Sequence, residues 1–85
     1  MKLVIVAVKD RAVDGYMRPF TVPHRNAALR SFTDEANRKE SEINAHPEDY
    51  DLYEIATFDD QTGNIENIKQ PPELIARAQD LIRKE

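Results

Sequence analysis

Between positions 9 and 25 the chain sets cations and aromatic rings close together: Lys9, Arg11, Tyr16, Arg18, Phe20 and Arg25. Cationic side chains hold phosphates and aromatic faces stack on unpaired bases, which is what a single-stranded nucleic-acid contact requires. Tyr16 and Arg18 fall on the same side of an extended run, and Arg30 adds a cation downstream. The stretch also has an ordinary structural reading, with Phe20 in the core and the arginines solvated. A second cluster has the opposite sign. Asp49, Asp51, Glu54, Asp59 and Asp60 would offer an acidic, phosphate-like array to a protein partner.

Other chemistries lack their parts. Nucleophilic catalysis needs a serine beside a base, and the base needs an orienting group. Ser31 and Ser41 lie in or beside a polar helical stretch, and His24 and His46 lie in separate loops. His46-Pro47-Glu48-Asp49 could gather ligands, but no other histidine and no cysteine stands at metal spacing, so a loop-capping role suits His46 better. Asp59-Asp60 resembles the start of a calcium loop but lacks the alternating acidic ligands and the closing Glu. Gly15 and Gly63 are too few for a phosphate-cradling loop. Tyrosines stand at 16, 50 and 53, but the His-hydrophobic-His triplet of rolling-circle nickases does not. The residues therefore predict a non-enzymatic protein, with no cofactor and no metal.

The chain that must position these groups has 85 residues, enough for a single domain, 1–85, with a modest core that a partner subunit would supplement. The absence of cysteine excludes a disulfide scaffold and fits a reducing compartment. No apolar run approaches the ~20 residues of a membrane span. The net charge of −4 hides an asymmetry. Residues 1–40 carry eight Lys/Arg against five Asp/Glu, and residues 41–85 carry four against eleven. Such a split can steer a polyanion to one face or pair the two faces of neighbouring subunits. It also describes two ordinary solvated faces.

Lys2 to Lys9 reads as a strand apolar on both sides, Leu3, Ile5 and Ala7 on one and Val4, Val6 and Val8 on the other. Such a strand sits centrally or lies under a partner, and we expect a homodimer. Asp14-Gly15 marks a turn. Met17 to Val22 is extended, and Pro19 puts it at an edge or a bulge. Ala28, Leu29, Phe32 and Ala36 give one helical face over about 24–39. Residues 40–49 read as a loop anchored by Ile43. Tyr50 to Phe58 alternates as a strand, with Leu52, Ala56 and Phe58 on one side and Tyr53, Ile55 and Thr57 on the other. Asp59 to Gly63 is a turn, with Gly63 supplying the positive φ, and Asn64 to Lys69 returns as a strand. Pro71-Pro72 opens a final helix with a stripe of Leu74, Ile75, Ala78, Leu81 and Ile82, Glu73 near its start and Arg83-Lys84 near its end. The expectation is an α+β fold in the order β-β-α-β-β-α, a four-stranded, mostly antiparallel sheet with two helices packed on it.

Several blocks also carry a resemblance. Phe20, Ala28-Leu29-Arg30-Ser31-Phe32, His46-Pro47-Glu48-Asp49-Tyr50-Asp51-Leu52-Tyr53-Glu54-Ile55 and Phe58-Asp59-Asp60-Gln61-Thr62-Gly63 follow one another. In order and spacing, over residues 2–70, the chain resembles the small non-structural protein of gokushoviruses, single-stranded DNA bacteriophages of the microvirus family (Microviridae). The resemblance implies a phage early protein made in the bacterial host cytoplasm and absent from the virion. It further implies a role in viral genome replication, as counterpart of the microvirus protein that turns synthesis from duplex to packaged single strands. It supplies no catalytic residues. On this reading Lys9, Arg11, Tyr16, Arg18, Arg25 and Arg30 form the contact surface for single-stranded DNA or for phage or host replication proteins. The alternative is an acidic protein-interaction module that binds a host or phage protein.

Overall fold

The computed structural model describes residues 1–83. Two long strands form its centre, β1 (Lys2–Asp10) and β4 (Tyr50–Asp59), paired antiparallel along their whole length. The outer side of β1 pairs with two short strands, β2 (Gly15–Tyr16) and β3 (Phe20–Val22). The outer side of β4 pairs with β5 (Ile65–Glu66) and β6 (Glu73–Arg77). The sheet therefore has six strands in four rows, all antiparallel, where four strands were expected. The extra count comes from the edges. Pro19 lacks an N–H for the ladder and interrupts the first edge row between β2 and β3, while Pro71 and Pro72 lie in the gap between β5 and β6.

The helix α1 (Arg25–Ala36) packs across one face of this sheet. Its N-cap is His24, whose Nδ1 accepts the Ala27 N–H at 3.2 Å. Ala28, Phe32 and Ala36 recur at the spacing of one helical face, and all three are buried. They meet Val6, Val8 and Leu52 from the sheet, with Val4, Val22, Tyr50 and Ile75 at the margin. The segment read as a loop at 40–49 contains a second, short helix, α2 (Glu42–Ala45), followed by a 3-10 turn at Pro47–Asp49. Ser41 caps α2 by accepting the Ile43 N–H, and Ile43 plugs the same core.

The helix expected after Pro71 is not there. Residues Glu73–Arg77 form β6, and Ala78–Asp80 form a 3-10 turn. Four of the five stripe residues, Ile75, Ala78, Leu81 and Ile82, do join the core cluster, but Leu74 lies opposite Tyr53 on the other side of the sheet and is exposed. What decides against a helix is β4. Its ten residues need partners for their outward N–H and C=O groups, and β5 pairs with only Thr57 and Phe58. β6 supplies those partners from Asp51 to Glu54. Asn37 closes the C-terminal segment onto α1: its amide donates to the Leu81 carbonyl and its Oδ1 accepts the Arg83 N–H. The expected role of Arg83-Lys84 at a helix end is lost with the helix, and Lys84 lies outside the described residues.

A bulge in β4 also changes which residues share a face. Ile5 pairs with Ala56 and Val6 with Glu54, so Ile55 is the extra residue. Because directly opposed residues share a face, Leu52 (opposite Val8) lies under α1. Tyr53, Ala56 and Phe58 (opposite Ala7, Ile5 and Leu3) lie on the other side. The strict alternation expected for this strand groups Leu52 with Ala56 and Phe58, and the bulge separates them. The side away from α1 thus presents Leu3, Ile5, Ala7, Tyr53, Ala56 and Phe58, and no helix among the described residues lies on it.

Candidate nucleic-acid interface

The turn after β1 fixes the first part of the expected surface. Asp10 Oδ1 accepts the Ala12 N–H at 2.9 Å, and Asp14 takes a left-handed φ of 53°. Aspartate tolerates that conformation better than most residues. The chain returns with Tyr16 opposite Lys9. The Lys9 ammonium then lies 5.6 Å from the centroid of the Tyr16 ring, a cation–π distance. Tyr16 meets Tyr53 edge to face, with centroids 5.6 Å apart and planes at 69°. Lys9 also pairs with Asp14 at 3.3 Å, and the hydrogen bond to that carboxylate holds its pKa above the ordinary lysine value.

The remaining expected cations divide into engaged and free. Arg11 donates to the Glu48 carbonyl and lies 4.0 Å from Asp51, whose carboxylate is buried and also faces Arg77 at 3.7 Å. Arg25 is held by Glu54 and Glu73 and donates to the Leu74 carbonyl, so it ties the start of α1 to β4 and β6. Arg18 and Arg30 are exposed and form no ion pair among the described residues. Arg30 lies on α1, beside a depression of about 420 Å³ also lined by His24, Asn26, Ser31 and Asp34. No contact joins it to the others. The structure therefore brings Lys9 and Tyr16 together, with Arg18 two residues further along the same edge. Arg11 and Arg25 sit in internal ion pairs, and Arg30 stands apart.

The acidic set is likewise dispersed. Asp51 is enclosed by its two guanidinium groups, and Glu54 lies between Arg25 and Lys69. Asp60 pairs with the Met1 amino group at 2.8 Å. Asp59 accepts the Gln61 N–H at 2.9 Å, a bond that holds its carboxyl below the usual range. Gly63, at φ 78°, completes that turn, as its place in the sequence anticipates. The charge asymmetry between the two halves of the chain is thus partly consumed by folding, since Arg11 and Arg25 from the first half meet Asp51, Glu54 and Glu73 from the second. His46 stands at the N-cap position of the 3-10 turn, its carbonyl accepting the Asp49 N–H at 3.0 Å, but its side chain makes no capping bond. His46, Glu48 and Asp49 do place possible ligand atoms within 4.8 Å of one another, but all three are partly or fully exposed.

Sequence reasoning missed Tyr53 as a neighbour of Tyr16. The Asp14-Gly15 turn signal could have found it, because a hairpin there returns Tyr16 beside β1 and its partner strand. No helix of the described residues is long and apolar enough to cross a membrane. Residues 3–81, nearly the whole chain, match a family model described as Phage ORF5 protein. No curated protein and no solved structure gives a match.

Proposed function

The chain belongs to the Phage ORF5 protein family, and on that premise we propose that it is a non-enzymatic accessory of phage genome replication that contacts single-stranded DNA. The motif resemblance supports a place, within phage proteins, among those of the gokushoviruses. Its place of action is then the cytoplasm of the bacterial host, where replication proteins are the further partners. The observation that carries the reading is the corner of β1 and β2. There an exposed Tyr16 stands beside the Lys9 ammonium, and the unpaired Arg18 follows two residues later. A ring able to stack on a base, flanked by cations for the backbone, is the minimal unit of sequence-tolerant single-strand binding. The acidic reading has less support, because two of its five carboxylates are enclosed by arginines or a lysine of the same chain.

Fluorescence anisotropy with a labelled 20-nucleotide oligothymidine tests it. With Lys9 and Arg18 as the phosphate contacts, the slope of log K against log salt is about −1.4. Arg18→Glu and Tyr16→Ala should each weaken binding at least about tenfold while the fold is retained. The absence of any anisotropy change at low salt, up to the ~100 µM typical of weak non-specific binders, would refute single-strand binding.

A further inference from the structure

We propose that the sheet face away from α1 binds a second copy of the chain, forming a face-to-face sheet dimer. The face is apolar and no helix of the described residues lies on it; Ala7 and Ala56 are buried and Leu3, Ile5, Tyr53 and Phe58 half-buried in the single chain. Along β1 and β4 its paired positions read Leu3 with Phe58, Ile5 with Ala56 and Ala7 with Tyr53. Leu74 extends it on the β6 side and Ile65 on the β5 side, at 39% and 58% exposure. A groove of about 270 Å³ lined by Ile5, Pro19, Phe20, Thr21 and Phe58 opens at its margin. The molecule measures 44 × 24 × 18 Å. Its shortest dimension fits one sheet with one helical layer and leaves the second sheet face without a layer of its own.

Three features select a second copy as the occupant. The first is area. Nine-residue central strands at ~3.3 Å per residue and four rows at ~4.8 Å give a face of roughly 30 by 19 Å in projection. That projection, about 570 Å² if every row were full, lies below the ~800 Å² that each partner contributes to a standard-size interface, so a weak, micromolar dimer is expected. The second is relief. Ile5 beside Ala56 and Ala7 beside Tyr53 form a two-by-two checkerboard of large and small side chains. The alanines are closed over in the single chain, at 2% and 1% exposure, so Ile5 and Tyr53 are the ridges that would meet a second sheet. The third is charge. Ionic groups stand only at the end of the face, three cations (Lys9, Arg11 and Arg77) against two carboxylates (Asp14 and Asp51). Beyond them Leu3, Ile5, Ala7, Tyr53, Ala56 and Phe58 carry no charge, and another apolar surface is the complement of that part.

Arg18 lies outside the face, whereas Lys9 and Tyr16 stand at one end of it, Tyr16 against Tyr53, so self-association is tested separately, without nucleic acid. The test is the solution mass of the untagged full chain, measured by light scattering and sedimentation from about 5 µM to 500 µM, a range bracketing micromolar self-association. The expected result is twice the 9.8 kDa chain mass at the upper end, with a concentration-dependent approach to it. Ile5→Lys and, at the more exposed position, Leu74→Lys should each raise the dissociation constant at least about tenfold. Circular dichroism keeps the test valid: Leu74→Lys changes an edge side chain and retains the fold even if Ile5→Lys does not. A wild-type mass that stays monomeric throughout overturns the proposal, whether or not the chain then binds another molecule. So does a dimer that a folded Leu74→Lys variant leaves unchanged.

Discussion

Leu52 offers the sharpest check on how the core is assembled. It is fully buried, lies opposite Val8 on β1 and Ala76 on β6, and belongs to the cluster around Phe32 and Ile43. Leu52→Ala removes three carbon atoms, worth ~0.8 kcal/mol each as lost transfer energy, or about 2.4 kcal/mol. A cavity penalty adds to this, because β4 is hydrogen-bonded on both sides at this position and cannot move inward to fill the gap. The expected cost is about 3–4 kcal/mol, against a total of ~4–13 kcal/mol for a chain of this length. In a domain of this size that lowers Tm by roughly 12–30 °C. Urea unfolding followed by far-ultraviolet circular dichroism measures it, at one fixed protein concentration so that self-association does not contribute. The midpoint should fall with the slope m unchanged. As a control, Ile68→Ala, at a position 59% exposed, should stay within about 0.5 kcal/mol of wild type. A loss below about 1.5 kcal/mol for Leu52→Ala would mean that the bulge does not direct Leu52 under α1, and the assignment of faces would fail with it.

Gly63 has φ of 78° and nothing within 4 Å of where a Cβ would stand, so Gly63→Ala carries a pure backbone penalty of about 1–2 kcal/mol, visible as a lower midpoint in a thermal melt. Stability should also decline in acid. The hydrogen bond from Arg25 holds Glu73 below the usual carboxylate range, and the bond from Arg38 does the same for Glu35. A carboxyl depressed in the folded state stabilises fully above its unfolded pKa of ~4.3 and loses that contribution as pH falls through the folded value. Tm measured from pH 7 downward should therefore hold steady and then drop below about pH 4.5, and Glu73→Gln should shrink the drop. Both groups are largely exposed, so each contributes modestly. An equal drop in the Glu73→Gln variant would show that the Arg25 pair is irrelevant to acid stability.

The fold was legible wherever the signal was local. The α1 stripe of Ala28, Phe32 and Ala36, the central apolar strand and the Asp59–Gly63 turn each rest on residues close together in the chain. The C-terminal segment was misread because a stripe at helical spacing and a strand followed by a turn can bury most of the same side chains, here all but Leu74. The unmet hydrogen bonds of β4 chose between them, and those belong to residues some twenty positions away. The Ile55 bulge left no mark in composition, since Tyr53, Ile55 and Phe58 suit either face of a strand. At the candidate site, residue types singled out Tyr16 and Arg18, and both side chains are exposed in the fold. Only tertiary pairing shows that Arg11 and Arg25 are committed to Asp51, Glu54 and Glu73, because a charge does not reveal its partner in the sequence.

The pairing of β1 with β4 has a kinetic consequence. Its nearest-in-sequence partners, Asp10 and Tyr50, are 40 positions apart, and Lys2 and Asp59 are 57 apart. Closing so long a loop costs entropy before any ladder bond compensates for it, and chains dominated by such contacts fold slowly for their size. The α1 segment can form early as a fluctuating helix. The sheet on which it docks has no central pair until the second half of the chain arrives. During synthesis the apolar Leu3–Val8 segment therefore emerges well before its partner strand, which leaves it exposed to mispairing and a natural target for a holding chaperone.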